Sequence, residues 1–108
     1  MNTNLIPFIS IVIPTFNRAE YISKALNSVI DQTFKDWELI IVDNNSTDHT
    51  DKIINQYTDP RIRYLKIKND GVIAKSRNLG IEVSKGEWIA FLDSDDWWTK
   101  DKLEVCFN

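Results

Sequence analysis

Cysteine, histidine and glycine are scarce: 108 residues hold one, one and three of them. Each shortage closes a class of function. A single cysteine, Cys106, excludes an internal disulfide and any thiolate metal cluster, and is expected to pack as a small hydrophobe near the end of the last helix. The lone histidine, His49, stands among Asp48, Thr50 and Asp51 with no second His or Cys nearby, which reads as a solvent-facing helix residue rather than a metal ligand. A basic excess is missing as well: 13 Lys and Arg against 16 Asp and Glu give a net charge of −3, so nucleic acid is not the expected partner. No apolar run reaches membrane-spanning length, and Met1–Phe8 lacks the apolar core of a signal peptide. The expected location is the cytoplasm, at the inner face of a membrane if an anchor lies elsewhere in a longer protein.

What is present is the composition of a soluble globular domain, 43% hydrophobic and 27% charged. Its length suits one domain with a real core, or one piece of a larger domain. Ile9–Pro14 is β-branched and apolar and reads as the first strand, with Pro14 marking its end. The loop Thr15–Arg18 follows, with Asn17 as N-cap of an amphipathic helix from Ala19 to Asp31 that carries Ile22, Ala25, Leu26 and Val29 at helical spacing. Trp37–Val42 is the second strand, ending at Asp43. The polar string Asn44–Asp48 then opens a second helix running to Gln56, with Ile53, Ile54 and Tyr57 on its buried face. Asp59-Pro60 is a turn, and Ile62–Ile67 alternates as a half-exposed third strand. Asn69-Asp70-Gly71 signals another turn before a helix from Ile73 to Val83, inside which Gly80 costs helix propensity. Strands alternating with helices predict a three-layer α/β/α fold around a mostly parallel sheet.

The chain is organised around Gly86–Trp98. Its first half is a near-continuous apolar run that reads as a strand buried on both faces, and it ends in Asp93, Asp95 and Asp96, three carboxylates within four residues. A strand's C-terminal end is where open α/β sheets place their ligands. The mutual repulsion of these carboxylates would be relieved by a divalent cation, since Mg²⁺ or Mn²⁺ commonly bridges one or two carboxylates to phosphate oxygens. The plainer reading is an acidic turn leading into the last helix, which is expected to begin at a Thr99 cap.

Four segments together resemble the N-terminal half of a family 2 glycosyltransferase with a GT-A, Rossmann-like fold. They are Ile11–Asn17, Leu39–Asp48, Arg77–Ile81 and Phe91–Asp96. Each is weak alone, but their order and separations cover nearly all of Ile9 to Lys102. The resemblance implies a nucleotide-diphospho-sugar donor, most often UDP-linked. It implies Pro14, Thr15, Phe16, Asn17, Asp43, Asn45, Arg77, Asp93 and Ser94 at the nucleotide, with Phe16 against the base and Asp43 accepting its imide N–H. Asp95 and Asp93 would hold Mn²⁺ or Mg²⁺.

By the same resemblance the complete enzyme transfers a sugar with inversion to a hydroxyl of a saccharide or lipid-linked acceptor, in cell-wall or polysaccharide biosynthesis. Family members carry the general base well beyond the metal motif, so that base is expected beyond Asn108. Residues 1–108 are then expected to be a donor-binding part, truncated at the C-terminus, with no catalytic base and little activity alone. Trp97 and Trp98 would lie exposed and favour self-association. Two other readings fit the same pattern. One is a nucleotide-binding module that transfers nothing. The other is a nucleotidyltransferase, disfavoured because Thr15–Arg18 has no glycine for a triphosphate-cradling loop.

Overall fold

The computed structural model describes residues 6–68 and 73–107. Eight elements alternate along the chain: β1 Ile9–Thr15, α1 Ile22–Ile30, β2 Trp37–Asp43, α2 Thr50–Ile54, β3 Ile62–Lys66, α3 Ile73–Val83, β4 Trp88–Phe91 and α4 Lys102–Phe107. The four strands form one sheet in the order β3-β2-β1-β4, and every pairing is parallel. β1 and β2 lie at the centre, and every residue of both is buried. That is why they are rich in Ile and Val with little alternation.

The two faces of the sheet are covered separately. Ile9, Ile11, Ile13, Leu39 and Ile41 pack with Ile22, Ala25, Leu26 and Val29 of α1 and with Ile54, Leu92 and Leu103. Val12, Ile40 and Val42 face the other way, toward Leu79 and Val83 of α3. The result is the expected three-layer α/β/α arrangement.

The chain steps outward from β1 to β2 to β3, then returns to the opposite side of β1 for β4. Strand order therefore reverses at β1, and the crevice beyond the C-terminal ends of β1 and β4 is the switch point where such sheets bind ligands. Pro14 helps to open it. Val12 O accepts from Leu92 N, so Pro14, two residues on, also faces β4, and its missing N–H falls where β4 pairing ends. Thr15 faces the other neighbour, its carbonyl accepting from Asn44 N, so β1 continues one residue past the proline.

Several expectations are corrected. β4 is not buried on both faces: Trp88, Ile89 and Phe91 are 54%, 38% and 41% exposed. The strand is an edge, with β1 as its partner among the described residues. α1 begins at Ile22 rather than Ala19, and its N-cap position is Tyr21, without a side-chain cap. α2 is a short helix from Thr50, so Asn44–His49 is loop, with His49 exposed at the N-cap position. α4 starts at Lys102, three residues after Thr99, and Cys106 is exposed. Trp97 is exposed with the Lys24 ammonium 4.6 Å from its ring centroid, whereas Trp98 is partly buried against the core. The Asn69–Gly71 turn lies outside the described residues, and so does Asn108, beyond which the general base is expected.

Gly80 has a positive reason to be glycine. A Cβ there would meet Val12 Cγ1 at 2.4 Å, so α3 rests on β1 through the bare backbone of its own interior.

Candidate functional site

At the switch point lies a cavity of about 370 Å³. β1 delivers Pro14, Thr15 and Phe16 to it, α3 delivers Arg77, and the turn after β4 delivers Asp93, Ser94 and Asp95. Seven residues singled out in the sequence thus line one cavity. Arg18, Asn44 and Ser76 line it too and were not singled out. Asn44 directly follows Asp43 and Ser76 directly precedes Arg77, so adjacency to a marked residue was the available signal.

Asn17, Asp43 and Asn45 are not among the residues that line the cavity. Asn17 and Asn45 adopt left-handed backbone, with φ of 50° and 56°, which asparagine tolerates better than most residues. Asn17 does not cap α1. Its Oδ1 accepts from Thr47 N at 2.7 Å and Asp48 N at 3.2 Å, and its own N–H donates to Ser46 Oγ. Asp48 returns the grip, accepting from Ala19 N and from both the N–H and the hydroxyl of Thr50. Partial burial pushes the Asp48 carboxyl up, but these hydrogen bonds, Thr50's foremost, outweigh it and hold the group below its ordinary value. The loop after β1 and the loop after β2 are thereby clasped into one unit.

Asp43 anchors that unit and has no exposed surface. Its Oδ1 accepts from Ser46 N at 3.0 Å and from Ser46 Oγ, and its Oδ2 accepts from the Tyr64 hydroxyl on β3. Burial above all, then the bond to Asp43 and its charge, push the Tyr64 hydroxyl well above its usual range, so it stays a proton donor. A carboxylate offers about four lone-pair positions, and three are used here.

Three features of the cavity wall invite a ligand. Phe16 presents an exposed aromatic face. Thr15 Oγ1 is buried without a hydrogen-bond partner among the described residues, a cost that a polar ligand atom would remove. Arg77 Nη2 lies 3.4 Å from Asp93 Oδ1, in a pair whose side chains are 45% and 62% exposed.

The donor set at Asp93 and Asp95 is all hard oxygen, and a guanidinium already stands at one of the two carboxylates. The oxygen donors fit a divalent cation, whereas the guanidinium competes with one for Asp93. Among the described residues no group of three or more His, Cys, Asp or Glu side chains could hold a metal by itself. Such an ion would have to complete its shell from phosphate oxygens and water. Asp96, the third carboxylate, accepts from Trp97 N and lies well before α4 begins at Lys102, so it does not cap that helix. A second cavity, at the N-terminal ends of β2 and β3, has its arginines already engaged: Arg61 with Asp59 and the Trp37 ring, Arg63 with Glu38 and Val83 O.

An aromatic, an arginine and two carboxylates thus gather at the switch point of a parallel α/β sheet, where such folds bind their ligands. The family model for glycosyl transferase family 2 matches residues 10–108, and the chain belongs to that family, with the GT-A type of fold. Among curated relatives, a putative teichuronic acid biosynthesis glycosyltransferase, TuaG of Bacillus subtilis, is 44% identical over 104 residues, covering 94% of this chain and 41% of TuaG. Among solved structures, S. aureus TarS in complex with UDP-GlcNAc superposes with a TM-score of 0.87 at 33% identity, over 92% of this chain and 30% of that one. The mannosyltransferase PcManGT of Pyrobaculum calidifontis, in complex with GDP-Man and Mn²⁺, gives 0.77 at 25% identity, over 85% of this chain and 28% of that one. The 108 residues thus span less than half of each of these proteins.

Proposed function

We propose that residues 1–108 form the donor-binding part of an inverting glycosyltransferase that takes a UDP-linked sugar. The observation that carries this reading is the single cavity uniting Phe16, Thr15, Arg77, Asp93 and Asp95. A uracil ring would lie against Phe16, with the Thr15 hydroxyl turned to a polar atom of the nucleoside. Asp43 has no exposed surface, so for its remaining lone pair to take the uracil imide N–H the cavity wall would have to part, while Asn17 and Asn45 hold the loops around it. Arg77 would meet the diphosphate. Asp93 and Asp95 would hold Mn²⁺ or Mg²⁺, which when bound supplies neutralising charge to the diphosphate. UDP-GlcNAc in TarS supports uridine over guanosine, and the description of TuaG supports a cell-envelope polysaccharide as the product.

The share of the reaction proposed for residues 1–108 is to bind and orient the donor. Among the described residues no helix is long and apolar enough to cross a membrane. The exposed side chains of β4 would favour self-association of the 108-residue chain.

The test is calorimetric titration with UDP and CDP, with and without Mn²⁺. A charge-assisted hydrogen bond accepted by Asp43 contributes about 1.5–3 kcal/mol, so UDP should bind at least about tenfold tighter than CDP. Asp43→Asn should erase most of the difference. Equal affinities in the wild-type chain would reduce Asp43 to a loop anchor and remove the uridine assignment.

A further inference from the structure

One of the two carboxylates assigned to a metal already carries a protein cation. Arg77 reaches from α3 to Asp93, which follows β4, so their contact joins two elements across the cavity. The guanidinium carbon also lies 5.8 Å from the centroid of the Phe91 ring. We propose that Arg77 and a divalent cation compete for Asp93, and that a diphosphate settles the competition by drawing Arg77 onto itself. Nucleotide and metal would therefore fill the site cooperatively. This rests on the nucleotide-sugar reading above and concerns how that site fills.

The geometry favours exchange. The contact is one nitrogen on one oxygen at 3.4 Å, longer than a good charged hydrogen bond, and both side chains are well exposed. It is strong enough to occupy Asp93 and weak enough to give it up. A divalent ion approaching Asp93 with Arg77 in place meets a like charge at short range. Once Arg77 leaves, the oxygen and the space beside it become available. A diphosphate is a better partner for a guanidinium than one carboxylate oxygen, since it offers several anionic oxygens in a geometry that the planar fork can engage twice. The Phe91 ring face stands close by on the strand, a short-range alternative that keeps the arginine near the cavity during exchange. Linkage then requires reciprocity: whatever factor UDP adds to metal affinity, the metal adds to UDP affinity.

The experiment measures Mn²⁺ and UDP binding to the 108-residue chain by calorimetry, each alone and each with the other saturating, for wild type, Arg77→Gln and Arg77→Lys. In the wild type, UDP should tighten Mn²⁺ by about fivefold or more. Arg77→Gln should bind Mn²⁺ alone about two- to fivefold tighter than wild type, in keeping with the loss of an exposed ion pair, while binding UDP more weakly. Its coupling factor should shrink, and Arg77→Lys should restore part of both effects. A purely structural arginine would lose affinity for both ligands together and could not improve Mn²⁺ binding. Unchanged or weaker Mn²⁺ binding by Arg77→Gln overturns the competition. If UDP fails to bind the wild-type chain, the nucleotide reading and its cooperativity fall, while the Mn²⁺ titrations still decide the competition by themselves.

Discussion

The Tyr64 hydroxyl of β3 donates to Asp43 Oδ2 at the end of β2, so the carboxylate is held by the sheet on one side and by Ser46 on the other. The pair fixes where the loop after β2 leaves the sheet, and with it the clasp that shapes the cavity floor. Tyr64→Phe removes the donor and leaves a buried carboxylate oxygen short of a partner. The expected loss is about 1–3 kcal/mol of unfolding free energy in urea titration. Tyr57→Phe is the matched control, because its hydroxyl bonds to exposed Asn27. Equal losses in the two variants would mean that the Asp43 bond carries no special weight.

Asp48 gives the clasp a pH dependence. Its folded carboxyl titrates below the ordinary value, so its contribution to stability is fully present above the unfolded value and is lost as pH falls through the folded one. Asp48→Asn should therefore cost stability at neutral pH and flatten the acid limb of a plot of stability against pH. An acid limb identical to wild type would place the acid sensitivity elsewhere.

Gly80 sets a helix's own preference against its packing. Alanine is favoured over glycine in a helix interior by about 1 kcal/mol. Here the added methyl would stand 2.4 Å from Val12 Cγ1, in the sheet's central strand, and overpacking of that kind costs about 1–3 kcal/mol. Packing is expected to win, so Gly80→Ala lowers the urea midpoint. Val12→Ala in the same chain should recover part of the loss. Stabilisation by Gly80→Ala alone would show that α3 can lift from β1 at little cost.

Hydrophobic patterning made β1, β2 and the apolar face of α1 legible, because each is packed into the core. Patterning could not separate a strand covered on both faces from an apolar edge strand, and Trp88–Phe91 is the second. Asn17 was misread for a different reason. Asparagine caps helices locally, yet its partners here, Thr47 and Asp48, lie 30 and 31 residues away, and no local propensity encodes that contact. The cavity was largely legible because the loop after β1, Arg77 and the Asp93–Asp95 turn all sit at C-terminal ends of strands or on the helix beside them. Asp43 was legible as a marked residue but not as a buried one, since its concealment depends on Tyr64 arriving from another strand.

The exposed edge of β4 makes a prediction about the isolated chain. Ile89 and Phe91 alternate with Trp88 and Ala90, so apolar groups stand on both faces of a strand whose outer backbone has no partner among the described residues. Sedimentation should show association that grows with concentration, and Ile89→Lys should suppress it. A wild-type chain that stays monomeric at millimolar concentration would show that this edge does not self-pair.

The metal assignment distinguishes two aspartates adjacent in the chain. Asp95 lines the cavity beside Asp93, whereas Asp96 accepts a hydrogen bond from the backbone of Trp97. Both are exposed turn residues, so alanine at either should leave the fold intact, with stability changes within about 0.5 kcal/mol. Their effects on binding should differ. A cation bridging Asp95 to a diphosphate makes UDP bind tighter when Mn²⁺ is present. Asp95→Ala removes that bridge, so the Mn²⁺-dependent tightening should vanish while metal-free binding persists or improves as one negative charge leaves the cavity. Asp96→Ala should keep the tightening. Circular dichroism on both variants verifies the fold, and UDP titration with and without Mn²⁺ reads the effect. A Mn²⁺ effect that survives in Asp95→Ala and disappears in Asp96→Ala would transfer the metal to the second carboxylate. A Mn²⁺ effect unchanged in both would leave Asp93–Asp96 as an acidic turn and locate the cation on the nucleotide alone.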